Sequence, residues 1–89
     1  MRIITVCGLG VGSSLILKMT VDKAMSELGV RCSIEHWDMG TIKGKEFDLI
    51  VSTEDLRSTF PIHSDNIVFV KNIVDLKEVK DKLAEFLNK

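Results

Sequence analysis

Ile3-Ile4-Thr5-Val6 runs directly into Cys7-Gly8-Leu9-Gly10-Val11-Gly12-Ser13-Ser14, which runs directly into a helical pattern ending near Leu28. This junction constrains the fold more than any other part of the chain. A β-branched apolar run with no polar alternation suits a parallel strand covered on both faces. A glycine-rich turn between such a strand and a helix builds an anion cradle from backbone N–H groups. Cys7 stands at the mouth of that cradle, so a nucleophile lies where a phosphate would bind.

The remaining pattern extends the same plan. Residues 2–7 are expected as the first strand, and the first helix is expected to begin near Ser13. Leu17, Val21, Ala24, Met25 and Leu28 form its apolar stripe. Lys18 with Asp22, and Lys23 with Glu27, are four apart on its wet side, and Gly29 is a stop signal. Residues 30–37 read as a second strand. There Cys32, Ile34 and His36 alternate with Arg31, Ser33 and Glu35, as on an edge strand with one polar face. Residues 38–46 are turn-like, with room for a helical turn at 41–43. Residues 47–52 read as a third strand and residues 67–70 as a fourth. Thr53-Glu54-Asp55-Leu56 caps a short helix that Phe60-Pro61 ends. Asp75, with Glu78 three residues on, opens the last helix in the manner of a capping box. Leu76, Val79, Leu83, Phe86 and Leu87 form its buried stripe. This β-α-β order predicts an α/β fold, with a parallel sheet covered by helices on both faces and right-handed crossovers. In such sheets ligands bind beyond the carboxyl ends of the strands.

Eighty-nine residues predict one domain, spanning residues 1–89. A net charge of −1 argues against a nucleic-acid partner. The apolar runs are too short to span a bilayer, so any membrane role is expected through a partner. The two cysteines, Cys7 and Cys32, show no zinc-site spacing and no C-x-x-C. With no signal peptide in view, a reducing cytoplasm is the expected setting.

The loop's own chemistry narrows the options. Gly8, Gly10 and Gly12 allow the backbone to approach a ligand closely. Ser13 and Ser14 offer caps and hydroxyls. The helix end adds about half a positive charge, which should lower the Cys7 thiol from its free pKa of roughly 8.5. The loop should equally hold the equatorial oxygens of a phosphoryl group in transfer. A dinucleotide fingerprint needs glycine where Ser13 stands. A Walker loop needs a lysine that is absent here. A cysteine phosphatase needs an arginine at the position of Ser13 to clamp the phosphate, and no Asp-Pro acid loop is present. What survives is a phosphoryl carrier, on which a phosphocysteine persists long enough to be passed on.

Here Cys7-Gly8-Leu9-Gly10-Val11-Gly12-Ser13-Ser14, followed by Leu15 to Met19, resembles the IIB component of the bacterial phosphoenolpyruvate-dependent sugar phosphotransferase system. The nearest branch is the ascorbate type, with the galactitol and lactose/chitobiose types further off. Leu49-Ile50-Val51-Ser52-Thr53 and the final helix extend the likeness along the chain. The resemblance implies a three-layer α/β/α, Rossmann-like fold with a four-stranded parallel sheet, like that of low-molecular-weight tyrosine phosphatases. It implies a protein-phosphohistidine–sugar phosphotransferase subunit. A phosphohistidine on a IIA protein or domain would donate to Cys7. The amides of Leu9, Gly10, Val11, Gly12, Ser13 and Ser14 would hold the phosphocysteine. A sugar, L-ascorbate in the nearest branch, would accept it on a membrane IIC component. No metal or organic cofactor is implied, and the location implied is cytoplasmic, at the inner membrane through IIC. A regulatory IIB-like module and a low-molecular-weight cysteine phosphatase are the alternative readings.

Around the loop, Leu9, Val11, Leu15 and Lys18 are expected to line the docking face. Ser52 is expected as a turn or cap group, and Thr53 is placed to support the loop. Cys32, His36, His63 and Trp37 read as ordinary packing or loop residues. Asp38 and Glu54 are expected to point away from a bound anion. Lys77, Lys80, Lys82 and Lys89 are expected on the wet face of the last helix.

Overall fold

The computed structural model describes residues 1–6, 11–37, 46–58 and 66–88, with the backbone alone for residues 11–14. Four strands, β1 (Arg2–Val6), β2 (Ser33–Trp37), β3 (Leu49–Thr53) and β4 (Ile67–Val70), form one parallel sheet in the order β2-β1-β3-β4. Two α-helices, α1 (Val11–Glu27) and α2 (Leu76–Leu87), and one 3-10 turn at Glu54–Leu56 complete the described elements.

Alternation along the strands sorts the core into two layers. Ile3, Leu49, Val51 and Val70 point to the face covered by both helices. There they pack with Leu17, Val21, Ala24 and Met25 of α1 and with Val79 and Leu83 of α2. Ile4, Val6 and Ile50 point to the opposite face, against Trp37, Phe47, Leu56, Ile67 and Phe69. Handedness explains the division. The step from β1 to β2 moves one way along the sheet, while the steps from β2 to β3 and from β3 to β4 move the other way. Right-handed crossovers therefore place their connections on opposite faces. Phe47 and Leu56, described members of the second and third connections, duly pack on the face away from the helices.

Several boundaries differ from the sequence reading. The first helix begins at Val11, two residues before Ser13, so Gly12, Ser13 and Ser14 lie within its first turn. Glycine is costly chiefly in a helix interior, and Gly12 sits at the end. The second strand begins at Ser33 rather than at residue 30, because the end of α1 uses Val30. The Val30 N–H donates to the Met25 carbonyl at 3.0 Å and the Gly29 N–H to the Ser26 carbonyl at 3.1 Å, with Gly29 at φ +74°. This paired closure around a left-handed glycine ties the chain back onto the helix before it can extend. The third strand starts two residues late, at Leu49. Ahead of it the Asp48 N–H donates to the Arg2 carbonyl, and the Arg2 N–H donates to the Asp48 carboxylate at 2.6 Å. The short helix after Thr53 is a single 3-10 turn. The turn expected at residues 41–43 lies outside the described residues.

The edge position of β2 matches its alternating pattern. The final helix opens as expected on Asp75, whose carboxylate accepts from the Glu78 N–H at 3.1 Å. The reciprocal half of the capping box is absent. The Asp75 N–H donates to the Asn72 carbonyl, and the Glu78 side chain goes elsewhere.

Candidate functional site

The strand order creates a switch point. The chain leaves β1 toward β2 and leaves β3 toward β4, although β1 and β3 are neighbours. Their connections part at the carboxyl ends, and the crevice between them is where open α/β sheets bind ligands. Cys7 is the residue that follows β1. Residues 7–10, which include Cys7, Gly8, Leu9 and Gly10, lie outside the described residues. Val11, Gly12, Ser13 and Ser14 form the first helical turn, whose N–H groups have no partner within the helix and carry its positive dipole end.

Two hydroxyls of β3 flank the switch point. Ser52 is fully buried, and its hydroxyl donates to the Val6 carbonyl at 2.8 Å. That carbonyl belongs to the peptide unit joining Val6 to Cys7, so the bond fixes the plane in which the chain leaves β1. Ser52 is thus a strand residue with a long-range role, not a turn or cap group. Thr53 closes β3 and is 4% exposed, and its hydroxyl has no hydrogen-bond partner among the described residues.

The connection after β4 is held from two sides. The Glu78 carboxylate accepts from the Lys71 N–H at 2.7 Å and the Asn72 N–H at 2.9 Å. From α1, the Thr20 hydroxyl donates to the Ile73 carbonyl at 2.7 Å, with the Ile16 carbonyl at 3.1 Å. Burial disfavours the Glu78 anion. The two N–H groups and the Lys82 ammonium at 3.5 Å outweigh that cost and hold its pKa below the usual carboxylate range.

Lys82 corrects the expectation of a uniformly wet lysine face. Its ammonium donates to the Phe69 carbonyl and lies 3.6 Å from Glu54 and 3.5 Å from Glu78. Lys80 pairs with Glu27 of α1 at 3.2 Å, Lys77 is exposed, and Lys89 lies outside the described residues. Glu54 is also gripped by Arg57, at 2.8 and 3.0 Å, and the Arg57 hydrogen bond is the main cause of its lowered pKa. The Arg57 guanidinium lies 4.6 Å over the Phe69 ring. The two carboxylates beside the switch point are therefore matched by two cations, which limits their repulsion of an anion there. Asp38 lies outside the described residues.

Sequence reasoning missed Ser52, Thr20 and Lys82 as structural links, because each bond joins segments distant along the chain and leaves no local signal. Cys32 is a free, half-buried thiol, pushed up in pKa by burial and then by Asp22. His36 and Trp37 lie half-buried on β2, and His63 is outside the described residues. Leu15 is 44% exposed, as a docking residue requires, and Lys18 is half-buried. Ile16, Met19 and Val74 add to the exposed apolar surface. Among the described residues, no group of three or more His, Cys, Asp or Glu could hold a metal ion, and no helix is long and apolar enough to cross a membrane.

An α/β protein of the open parallel-sheet class, with a switch point between β1 and β3, is the kind of protein this arrangement defines. The family model for lactose/cellobiose-specific IIB subunits of the phosphotransferase system matches residues 2–89, so the chain belongs to that family. It is a phosphoryl carrier in sugar transport and a subunit of a sugar phosphotransferase, and it works with IIA and IIC partners. The phosphatase and regulatory readings are not favoured. The ascorbate-specific EIIB component of Mycoplasma pneumoniae is 40% identical over 90 residues, covering 98% of this chain and 95% of that protein. The component of the same description from Escherichia coli O157:H7 is 27% identical, with 97% and 88% covered. Among solved structures, the lactose-specific IIB domain from Streptococcus pneumoniae superposes with a TM-score of 0.68 at 17% identity, covering 99% of this chain and 95% of that one. That likeness supports the α/β fold.

Proposed function

We propose that Cys7 is the phosphoryl acceptor and that residues 8–14 form the cradle for its phosphate. The observation that carries this reading is the switch point. Cys7 is the first residue beyond β1, and the N-terminus of α1 begins four residues later. In the first step the thiolate attacks the phosphorus of a phosphohistidine on IIA. The S–P bond forms as the P–N bond breaks, and the imidazole nitrogen keeps the electron pair. In the second step a sugar hydroxyl on IIC attacks, the O–P bond forms, its proton passes to a base or to water, and the Cys7 thiolate leaves. The amides of the cradle hold the oxygens through both steps.

L-Ascorbate is the proposed sugar, on the strength of the 40% identical relative and its coverage of almost the whole chain. Residues 1–89 act as one IIB unit in the cytoplasm, meeting the membrane through IIC. Leu15, Ile16, Met19 and Val74 supply exposed apolar surface for docking. The test is intact-mass analysis after incubation with phosphoenolpyruvate, the general phosphotransferase proteins and a cognate IIA. One phosphate should appear on the wild type and none on Cys7→Ala. An adduct that persists in Cys7→Ala refutes the assignment. Transfer onward to ascorbate, and not to lactose or cellobiose, in membranes carrying the matching IIC tests the sugar.

A further inference from the structure

Among the described residues, β4 forms one edge of the sheet and β2 the other. An edge strand offers outward N–H and C=O groups to any further strand, and proteins blunt such edges with charges or cover them. β2, which reads Ser33-Ile34-Glu35-His36-Trp37, carries its own charge at Glu35, with Arg2 at 3.8 Å. β4 reads Ile67-Val68-Phe69-Val70 and carries none. Consecutive β-favouring apolar residues without charge or proline are the kind of segment that recruits another strand.

The register shows which groups of β4 face outward. Ile50 lies level with Ile67, and the Ile50 N–H donates to the Asn66 carbonyl at 2.9 Å. In a parallel pair Ile50 then bonds to the residues on either side of Ile67, so the N–H and C=O of Ile67 point away from β3. The same holds for Phe69, level with Ser52, and for Lys71 one step beyond. Two side chains of α2, four residues apart, reach this edge. The Lys82 ammonium donates to the Phe69 carbonyl, and the Glu78 carboxylate accepts from the Lys71 N–H at 2.7 Å. The two are 3.5 Å from each other. The ammonium thus occupies the place that the N–H of an added strand would need. Lys82 also lines the open groove beside β4, together with Ile67, Phe69 and Phe86.

We propose that Lys82, supported by Glu78, guards the outer edge of β4 against pairing with the β4 of a second copy of this chain. Two copies related by a two-fold axis would pair antiparallel, each presenting the same outward groups to the other. The protection comes from α2 because the side chains of β4 are committed to packing. Val68 and Val70 pack on the helix face, and Ile67 and Phe69 on the opposite face. A charge placed on β4 itself would disrupt one of those layers.

The test is molar mass by size-exclusion chromatography with light scattering, over a range of protein concentrations. The wild type, Lys82→Met, Lys82→Arg and Lys80→Met are compared. Methionine keeps most of the apolar stem and removes both donor and charge. The wild type and Lys82→Arg should run as single chains, and the mass of Lys82→Met should at least double. Lys80→Met removes the same charge from α2 at a site paired with Glu27, and should stay a single chain. A Lys82→Met that stays single at every concentration, a wild type that associates, or a Lys80→Met that associates as strongly overturns the inference. Hydrogen exchange locates the contact and separates strand pairing from unfolding. In the Lys82→Met oligomer the Ile67 amide should exchange about tenfold more slowly than in the wild type, while Val68 and Val70 keep the protection that β3 gives them. An unchanged rate at Ile67, or lost protection at Val68 and Val70, overturns the inference.

Discussion

Glu78→Gln tests whether a single carboxylate holds the carboxyl-end connection of β4 to the body of the domain. The wild-type group accepts two backbone N–H bonds, at 2.7 and 2.9 Å, and faces Lys82 at 3.5 Å. Hydrogen bonds to charged groups contribute about 1.5–3 kcal/mol each. The side chain is 19% exposed, and Lys71 and Asn72 are exposed, so water replaces part of what is lost. A net loss of about 2 kcal/mol follows. For a domain of this size that lowers Tm by about 8–16 °C. Glutamine offers one acceptor oxygen to two donors and turns an NH2 group toward the other. The pH dependence has a definite sign. The folded pKa lies below the unfolded value of about 4.3, so the stabilisation is complete above that value and is lost as pH falls through the folded pKa. Urea unfolding followed by Trp37 fluorescence should show the gap between the two proteins at about pH 7 and its narrowing near pH 3. A gap below about 0.5 kcal/mol at neutral pH, or one of equal size at both pH values, would falsify the role assigned to the charge.

Further outcomes follow from other contacts. Ser52→Ala leaves the buried Val6 carbonyl without its side-chain donor and should cost about 1–3 kcal/mol in urea unfolding. Because that bond orients the peptide leading to Cys7, the variant should also accept phosphate from IIA more slowly in rapid-quench assays. Gly29→Ala should cost about 1 kcal/mol by thermal melt. The cause is backbone strain at φ +74°, since a Cβ there would meet nothing within 4 Å. Met19→Lys, at a position 66% exposed, should leave stability within about 0.5 kcal/mol of wild type. The same substitution should raise the IIA concentration needed for half-maximal phosphoryl transfer; an unchanged value removes Met19 from the docking surface.

The apolar stripes of both helices and the edge position of β2 were legible along the chain, because burial and period leave a local imprint. So was the stop at Gly29, whose left-handed conformation glycine adopts readily. The start of β2 was not. It depends on how the end of α1 is closed, by bonds between residues that form only once the helix exists. Lys82 shows the same limit from another side. Its sequence position on a lysine-rich helix looks solvated, yet the fold brings Phe69, Glu54 and Glu78 to it.

For the candidate site, the amino-acid sequence by itself determined the chemistry of the proposed acceptor, the run of glycines after it and the helix that follows, because these are adjacent in the chain. Only the tertiary structure decided that β3 lies beside β1 and that their connections diverge there. It also decided that Ser52 reaches the Val6 carbonyl while the neighbouring Thr53 hydroxyl has no partner among the described residues. Strand order is set by which apolar faces pack together, and no short stretch of sequence encodes a partner 46 residues away.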